Sequence, residues 1–517
     1  MNMFLCKKRA SRSEVKGGIP FLLFVAVLSL YVGLSFTMAD FYDMPFSNAR
    51  DFMVIAAQFA VIEVAVLLFV WLVSCDKYVF SVVFPLFSLL CSLAAYFRFT
   101  AKVSLTPMAI DLALVNDART TMDVVTWQLV AFVVFSVAVG VAAVWLRFRR
   151  VTVRCRWGQM AVAAVCFVAY VHIPRFAPPI KYRIPFVVYY ATVDYLDNRH
   201  IASENRPAFG GRAVCGDDSI DVVFVLGETL CARNMQSNGY HRATTPWLVR
   251  ERNAVSMPNI YSEYGFTHTS VPYLLTRACP GKLDRAYSER SFISLFRKAG
   301  YHATWIANQE SVETFAYFMH EADTLVYVNS GKSVYVFDQW LDGDILPALD
   351  RQLRLQANYA RRLFVIHTIG SHWWYKAHYP RAFARWRPEL KSRVMSANTK
   401  DEFVNSYDNT VLYSDYFWQC LRDRFRGRNA IVVYLSDHSE NLGENGVFGH
   451  GEDSKPLHYP GCWIWMSDKY RESHPDKWRS LEANRTRGYN SAFLFHSLLD
   501  AGCISTPYID RRYDIFR

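Results

Sequence analysis

The chain has 517 residues, 52% of them hydrophobic, 16% aromatic and 20% charged, with a formal net charge of +11. That length exceeds one ordinary domain, and so apolar a chain is neither disordered nor fibrous. The first 200 residues carry a net +8 and the rest only +3, so the C-terminal part is nearly neutral and offers no nucleic-acid groove.

Five apolar runs come first, at roughly Pro20–Ala39, Phe52–Ser74, Tyr78–Phe97, Thr126–Leu146 and Trp157–Ile173. A helix crossing a bilayer takes about 20 apolar residues, because the hydrocarbon core is about 30 Å thick. Four runs meet this and the fifth lies near the lower limit, which predicts five membrane helices. Basic residues set the orientation. Lys7, Lys8, Arg9, Arg12 and Lys16 precede the first run, and Arg147, Arg149, Arg150, Arg154 and Arg156 separate the fourth and fifth. With an odd number of spans both groups share one side, the cytoplasm, together with the Cys75–Lys77 turn. Asp40–Asp51 and Arg98–Asp123 fall outside, and everything after about residue 175 is exported. The first run resembles a signal peptide, but its length and the four runs behind it read as an uncleaved anchor. Glu63 lies inside the second run, where a carboxyl is costly. Two readings fit it, a headgroup contact or a hydrogen-bonded helix contact.

Pro174, Pro178, Pro179 and Pro185, interspersed with Tyr182, Phe186, Tyr189, Tyr190 and Tyr195, predict an irregular aromatic linker at the membrane surface. The exported part holds Cys215, Cys231, Cys279, Cys420, Cys462 and Cys503. None shows metal-finger spacing, and in an oxidising compartment they are candidate disulfide staples with 15 possible pairings. There is no internal repeat and no low-complexity tract.

Three exported segments are apolar runs that end abruptly in polar side chains: Asp221–Glu228, Leu363–His372 and Ala430–His438. Runs without alternation predict parallel strands buried on both faces, with helices such as Ser291–Gly300 and Asn405–Arg424 between them. Ligands gather beyond the carboxyl ends of such strands, so Glu228, His372, Asp437 and His438 are expected to converge there. Carboxylates with imidazoles suit zinc, and manganese less well. Asp437 and His438 can share a site only where the strand has ended, and Glu440–Gly446 reads as the following loop. Each residue also has an ordinary alternative: Glu228 a helix cap, Asp437 a turn former, a histidine a packing group. Ser262–Pro272 crowds several hydroxyls, and composition alone does not choose among Thr267, Thr269 and Ser270 as nucleophile or helix cap.

Gly227-Glu228-Thr229, Asn238–Pro246, Gly370–His372 with Tyr375-Lys376 and Tyr379-Pro380, Asn405–Thr410, and Ser436–Gly446 with His450-Gly451 occur in one order. Together they resemble the bacterial phosphoethanolamine transferases over essentially the whole chain. The resemblance implies an inner-membrane protein whose periplasmic domain has the α/β/α sulfatase/alkaline-phosphatase fold. It divides the chain into a five-helix α-helical transmembrane domain (1–174), an interfacial linker (175–215) and a catalytic domain (216–517). It implies that Glu228, Thr267, Asp437 and His438 hold a catalytic zinc, with Thr267 as nucleophile. His372 and His450 would act near the phosphate and are candidates for a second zinc. The implied reaction takes phosphoethanolamine from phosphatidylethanolamine, releases diacylglycerol and transfers the group to an envelope acceptor: lipopolysaccharide core, lipid A or a periplasmic glucan. A monomer is expected, with a membrane phospholipid as donor and a glycan or lipopolysaccharide as acceptor.

Two stretches depart from the lipid A-modifying members. Tyr264–Thr267 replaces a Cys-Gly-Thr context, and Trp305–Gln309 replaces a lysine-bearing segment; both look closer to relatives acting on core sugars or glucans. A related glycerophosphotransferase, a sulfatase or an inactive scaffold would share the fold. The sulfatase reading needs a Cys/Ser-x-Pro-x-Arg motif, and Ser270-Val-Pro-Tyr-Leu lacks the arginine.

Overall fold

The structure is a computed structural model that describes residues 19–517 apart from 45, 47, 102, 108, 111–125, 154–155, 203–205, 311–312, 333–337, 393–396 and 451–452. The N-terminal basic cluster, Arg154, most of the predicted loop before Asp123 and Gly451 therefore lie outside the described residues. The chain divides into two compact units.

The first unit is helical. Its elements are α1 (Phe21–Ser35), α2 (Ala49–Ser74, shared with the second unit), α3 (Lys77–Ala101), α4 (Trp127–Arg149) and α5 (Arg156–Val171). Four helices are long and apolar enough to cross a membrane, and α5 is a shorter apolar helix. Helices α3 and α4 pack closely because Gly140 meets Pro85, where a Cβ would stand 3.4 Å from the proline Cα. Glu63 accepts a hydrogen bond from Thr37 (3.2 Å) and its carboxyl lies over Gly33, so it makes a hydrogen-bonded helix contact. Arg98 does not open a loop. It is the fully buried last-turn residue of α3 and pairs with Asp43 at 2.9 Å and Asp40 at 3.4 Å. Arg147, an orientation signal in the sequence, also donates to the carbonyls of Ser74 and Cys75, which the end of α2 leaves unpaired. The predicted irregular linker is partly helical, with α6 (Ala177–Lys181) and α7 (Val187–Ala202). Pro178 falls in the first turn of α6, where its missing N–H costs nothing.

The second unit is built on a seven-stranded sheet: β1 (Ile220–Gly227), β2 (Ala254–Ser256), β3 (His302–Ala307), β4 (Thr324–Tyr327), β5 (Arg361–His367), β6 (Ala430–Ser436) and β7 (Cys462–Met466). The order is β2-β7-β6-β1-β5-β3-β4. Strands β6, β1, β5, β3 and β4 run parallel; at one edge β7 pairs antiparallel with β6, and β2 pairs antiparallel with β7. Along β1, Val222, Phe224 and Leu226 join one core and Val223 and Val225 the other. Cores on both faces explain why the strand sequences do not alternate. At the strand beginnings Arg362 makes two hydrogen bonds to Asp221, its cross-strand neighbour, at 2.7 and 2.6 Å, with both side chains buried.

Two expectations fail locally. Glu440–Gly446 is not all loop, since Leu442–Glu444 pairs with Val447–Phe448 as a short hairpin. The six cysteines after residue 200 are not staples: all six are free, and Cys231 and Cys462 are buried in different cores.

Gly370 has φ +53, and a Cβ there would stand 2.5 Å from the Glu228 carbonyl oxygen. Gly370→Ala therefore meets left-handed strain and a backbone clash together, and should cost about 2 kcal/mol or more. Thermal unfolding no earlier than that of the parent would contradict this.

Candidate metal centre at the strand ends

The site grows from the carboxyl ends of neighbouring strands. Gly227 lies opposite Ser436 in the β1–β6 ladder, so the next residues, Glu228 and Asp437, leave the sheet side by side. Gly227 has to be glycine, since a Cβ would overlap the Tyr434 ring. His438 follows where the strand has ended. Glu228 and Asp437 are 1% exposed and His438 is fully buried, and their ligand atoms all lie within 4.8 Å of one another.

Hydrogen bonds aim each group inward. His438 Nδ1 lies 2.7 Å from the Ser439 carbonyl, which fixes the proton on that nitrogen and leaves the Nε2 lone pair facing the site. Asp437 Oδ1 accepts from the backbone N–H groups of His438 (2.7 Å) and Thr229 (3.2 Å), while its buried Oδ2 has no hydrogen bond. Thr229 holds φ +59, a costly conformation for a β-branched residue. Its hydroxyl donates a short hydrogen bond to Glu228 Oε1, and its carbonyl accepts from Tyr407.

Thr267 completes the cluster. It is the first residue of the helix Thr267–Leu275, whose N-cap is Phe266. Its Oγ1 lies 3.2 Å from Glu228 Oε2 and 3.2 Å from His438 Nε2. The structure thus separates the three hydroxyls that composition could not. Ser270 donates to the Asp437 carbonyl and Thr269 to that of Phe266. Thr267 alone faces the carboxylates, and it alone of the four clustered residues is partly exposed.

The remaining candidates form the rim. The His450 ring lies 4.9 Å from that of His438 and 6.2 Å from that of His372. Burial works against charge on His450, but Glu440, whose two oxygens are each 3.3 Å from Nδ1, raises its pKa to about 9. His372 is pushed the other way, to about 4, by burial and then by its neighbour His450. Its Nδ1 lies 2.6 Å from the Trp373 carbonyl. In the metal-free protein, where Glu228 and Asp437 add to the effect of Glu440, the His450 ring is cationic and the His372 ring neutral at pH 7. Sequence reasoning missed Gln309, whose amide donates to Glu228 Oε2 at 3.2 Å. Gln309 follows β3 closely, and the strand-end rule that found Glu228 would have found it. Glu440 reads in the sequence only as part of a loop.

The donor set fits a metal ion. Two buried carboxylates beside one another repel, burial and Glu228 both raise the Asp437 pKa, and one carboxylate oxygen lacks any hydrogen bond. A divalent cation taking oxygen and imidazole donors removes all three penalties.

Comparison with known proteins agrees with this frame. Residues 220–502, more than half of the chain, match the family described as Sulfatase. The chain belongs to the sulfatase family. Among curated relatives, Kdo(2)-lipid A phosphoethanolamine 7''-transferase of Escherichia coli (strain K12) is 32% identical over 299 residues. The match covers 55% of this chain and 51% of that protein, so the chain spans about half the length of that relative. The integral membrane lipooligosaccharide phosphoethanolamine transferase A of Neisseria meningitidis superposes with a TM-score of 0.54 at 22% identity, over 95% of this chain and 98% of that one. It shares both the apolar helical part and the sulfatase-like α/β part. The C-terminal periplasmic domain of EptC from Escherichia coli, solved in complex with zinc, gives a TM-score of 0.54 at 23% identity, over 60% of this chain and 90% of that one.

His450 yields a pH prediction for the chelator-stripped protein. Its folded value of about 9 lies above the ordinary value of about 6.5. The stabilisation is complete below about 6.5 and is lost as pH rises through about 9. Glu440→Gln should bring the His450 midpoint, followed by NMR, down toward the ordinary value. An unchanged midpoint would show that Glu440 is not the cause.

Proposed function

We propose that this chain is a membrane-anchored, zinc-dependent phosphoethanolamine transferase. It takes phosphoethanolamine from phosphatidylethanolamine onto Thr267, releases diacylglycerol and passes the group to a lipopolysaccharide or glucan hydroxyl. The observation that carries the reading is the position of Thr267: a partly exposed hydroxyl at a helix start, 3.2 Å from a buried carboxylate and 3.2 Å from a buried imidazole. The names of the relatives supply the transferred group, and the apolar helices suit a donor that stays in the bilayer. In this reading the N-terminus and the Arg147–Arg156 segment are cytoplasmic, and the sulfatase-family unit is periplasmic.

Glu228, Thr267, Asp437 and His438 would hold the metal. When bound there, zinc lowers the pKa of the threonine hydroxyl and offsets charge on the phosphate. Thr267 Oγ1 attacks phosphorus as the P–O bond to diacylglycerol breaks, and its proton passes toward Glu228. The positive end of the helix Thr267–Leu275 and cationic His450 favour the anionic phosphate oxygens. Cationic His450 supplies the proton for the departing diacylglycerol oxygen, and neutral His372, its own N–H turned to the Trp373 carbonyl, has none to give. An acceptor hydroxyl, giving its proton to the now neutral His450, then attacks the phosphothreonine; the P–Oγ1 bond breaks and Thr267 takes back the proton held at Glu228.

Thr267→Ala should abolish diacylglycerol release from labelled phosphatidylethanolamine, by at least about 10³-fold, with folding and membrane insertion retained. Undiminished release would sink the assignment. Glu228→Ala should lose the metal of this centre, and full occupancy in that variant would contradict the ligand set. Mass spectrometry of lipopolysaccharide, lipid A and glucans from cells with and without the protein would show the acceptor.

A further inference from the structure

A second convergence of ligand-type side chains lies at the opposite edge of the same sheet. Asp217 comes just before β1, where the parallel strands begin. His474 follows the helix Asp468–Ser473, which leaves β7 at that same edge because β7 runs antiparallel to β6. Cys503 lies between the helix Phe493–Ala501 and the strand Ile504–Ser505. His474 Nε2 is 2.9 Å from Asp217 Oδ2 and 3.4 Å from Cys503 Sγ, and all three ligand atoms lie within 4.8 Å of one another.

Two chemistries could use these residue types, and geometry separates them. In a nucleophilic Cys-His-Asp arrangement the thiol and the carboxylate bind opposite nitrogens of the ring. Here both meet Nε2. Burial also pushes the Cys503 thiol up to about 11, despite Lys477 nearby, so no thiolate is available for attack at neutral pH. Convergence on a single point is instead what a cation requires. Donors held about 2.0–2.3 Å from a tetrahedral zinc lie about 3.3–3.8 Å apart, within a few tenths of an ångström of the two separations observed. Thiolate, imidazole and carboxylate form a borderline-soft set that suits zinc over magnesium or calcium.

The backbone agrees that a thiol is wanted here. Cys503 has φ +52, where glycine would be the unstrained residue. Its carbonyl accepts from Gly216 N–H at 2.9 Å, and Val214–Cys215 pairs antiparallel with Ile504–Ser505. The cluster therefore sits where the chain enters the sulfatase-family fold and where it approaches its end. Lys477 Nζ is 3.4 Å from Cys503 Sγ but also pairs with Asp500 at 3.8 Å, so it has an anchor when a metal takes the sulfur. His474 and Asp217 are 16% and 21% exposed, which leaves an approach from solvent.

We propose that Asp217, His474 and Cys503 form a structural zinc site, separate from the strand-end centre, that clips the two ends of the sulfatase-family fold together. Binding would deprotonate the thiol and release that proton to solvent. Tying residues far apart in sequence restrains a long loop of the unfolded chain, the setting in which such a clip stabilises most.

The test is zinc per chain, by elemental mass spectrometry of the full-length detergent-purified protein, in the parent and in Cys503→Ser, His474→Asn and Cys503→Gly. Each variant should lose about one zinc and unfold at lower temperature, with lipid turnover within about two-fold of the parent. Cys503→Gly suits the backbone, so zinc loss in that variant with turnover intact assigns the thiol as a ligand. Zinc content equal to the parent in all variants overturns the proposal. So does a Cys215–Cys503 disulfide in the non-reduced protein, because it would consume the ligand. An error in the strand-end assignment would show separately, as a parent without turnover, and leave the zinc comparison intact.

Discussion

The parallel register between β1 and β6 is the constraint on which the site depends. Because Gly227 faces Ser436, the first residues beyond the two strands are Glu228 and Asp437. A slip of one residue would put one carboxylate back into the sheet and turn the other to the opposite face. That register is held over seven paired positions whose side chains fill two separate cores, so the apolar interior specifies the placement of two buried acids at its rim. Burying the acids together is unfavourable in itself, and this is why the residues read as a metal centre and not as ordinary strand-end polar groups.

Around that register lies a layer of positions that tolerate little change. Thr229 is held at a positive φ by Asp437 on one side and Tyr407 on the other. Gly370 is pressed against the Glu228 backbone while Asp342 accepts hydrogen bonds from the N–H groups of Ile369 and Gly370. These contacts tie the loop after β5, which carries His372, to the loop after β1, which carries Glu228. The rim histidines then diverge electrically: Glu440 keeps one charged, and burial keeps the other neutral. A charged and a neutral imidazole side by side suit binding a phosphate while moving a proton.

Legibility differed between the two parts of the chain. In the helical unit the sequence revealed five apolar helices, four of them long enough to cross a membrane, because only composition is needed to see them. It misplaced Arg98, whose charge is neutralised by Asp40 and Asp43 over fifty residues away, and it could not show that Arg147 caps another helix. In the sulfatase-family unit the three site-bearing strands and the convergence of Glu228, Asp437 and His438 were readable. An unbroken apolar run that stops at ligand-type residues is what a doubly covered parallel strand with a site at its end requires. Gln309 was open to the same strand-end rule, whereas the supporting role of Glu440 was not readable, since a glutamate in a loop looks like any other.

The sequence by itself determined the apolar helices, the parallel sheet and the edge at which polar side chains collect, because each follows from the local hydrophobic pattern. Only the tertiary structure decided which of three neighbouring hydroxyls faces the carboxylates, that the six cysteines after residue 200 are unpaired, and that Asp217, His474 and Cys503 meet. Those outcomes depend on distances between residues remote in the chain, and such distances are fixed by strand register and helix packing, which no local pattern encodes.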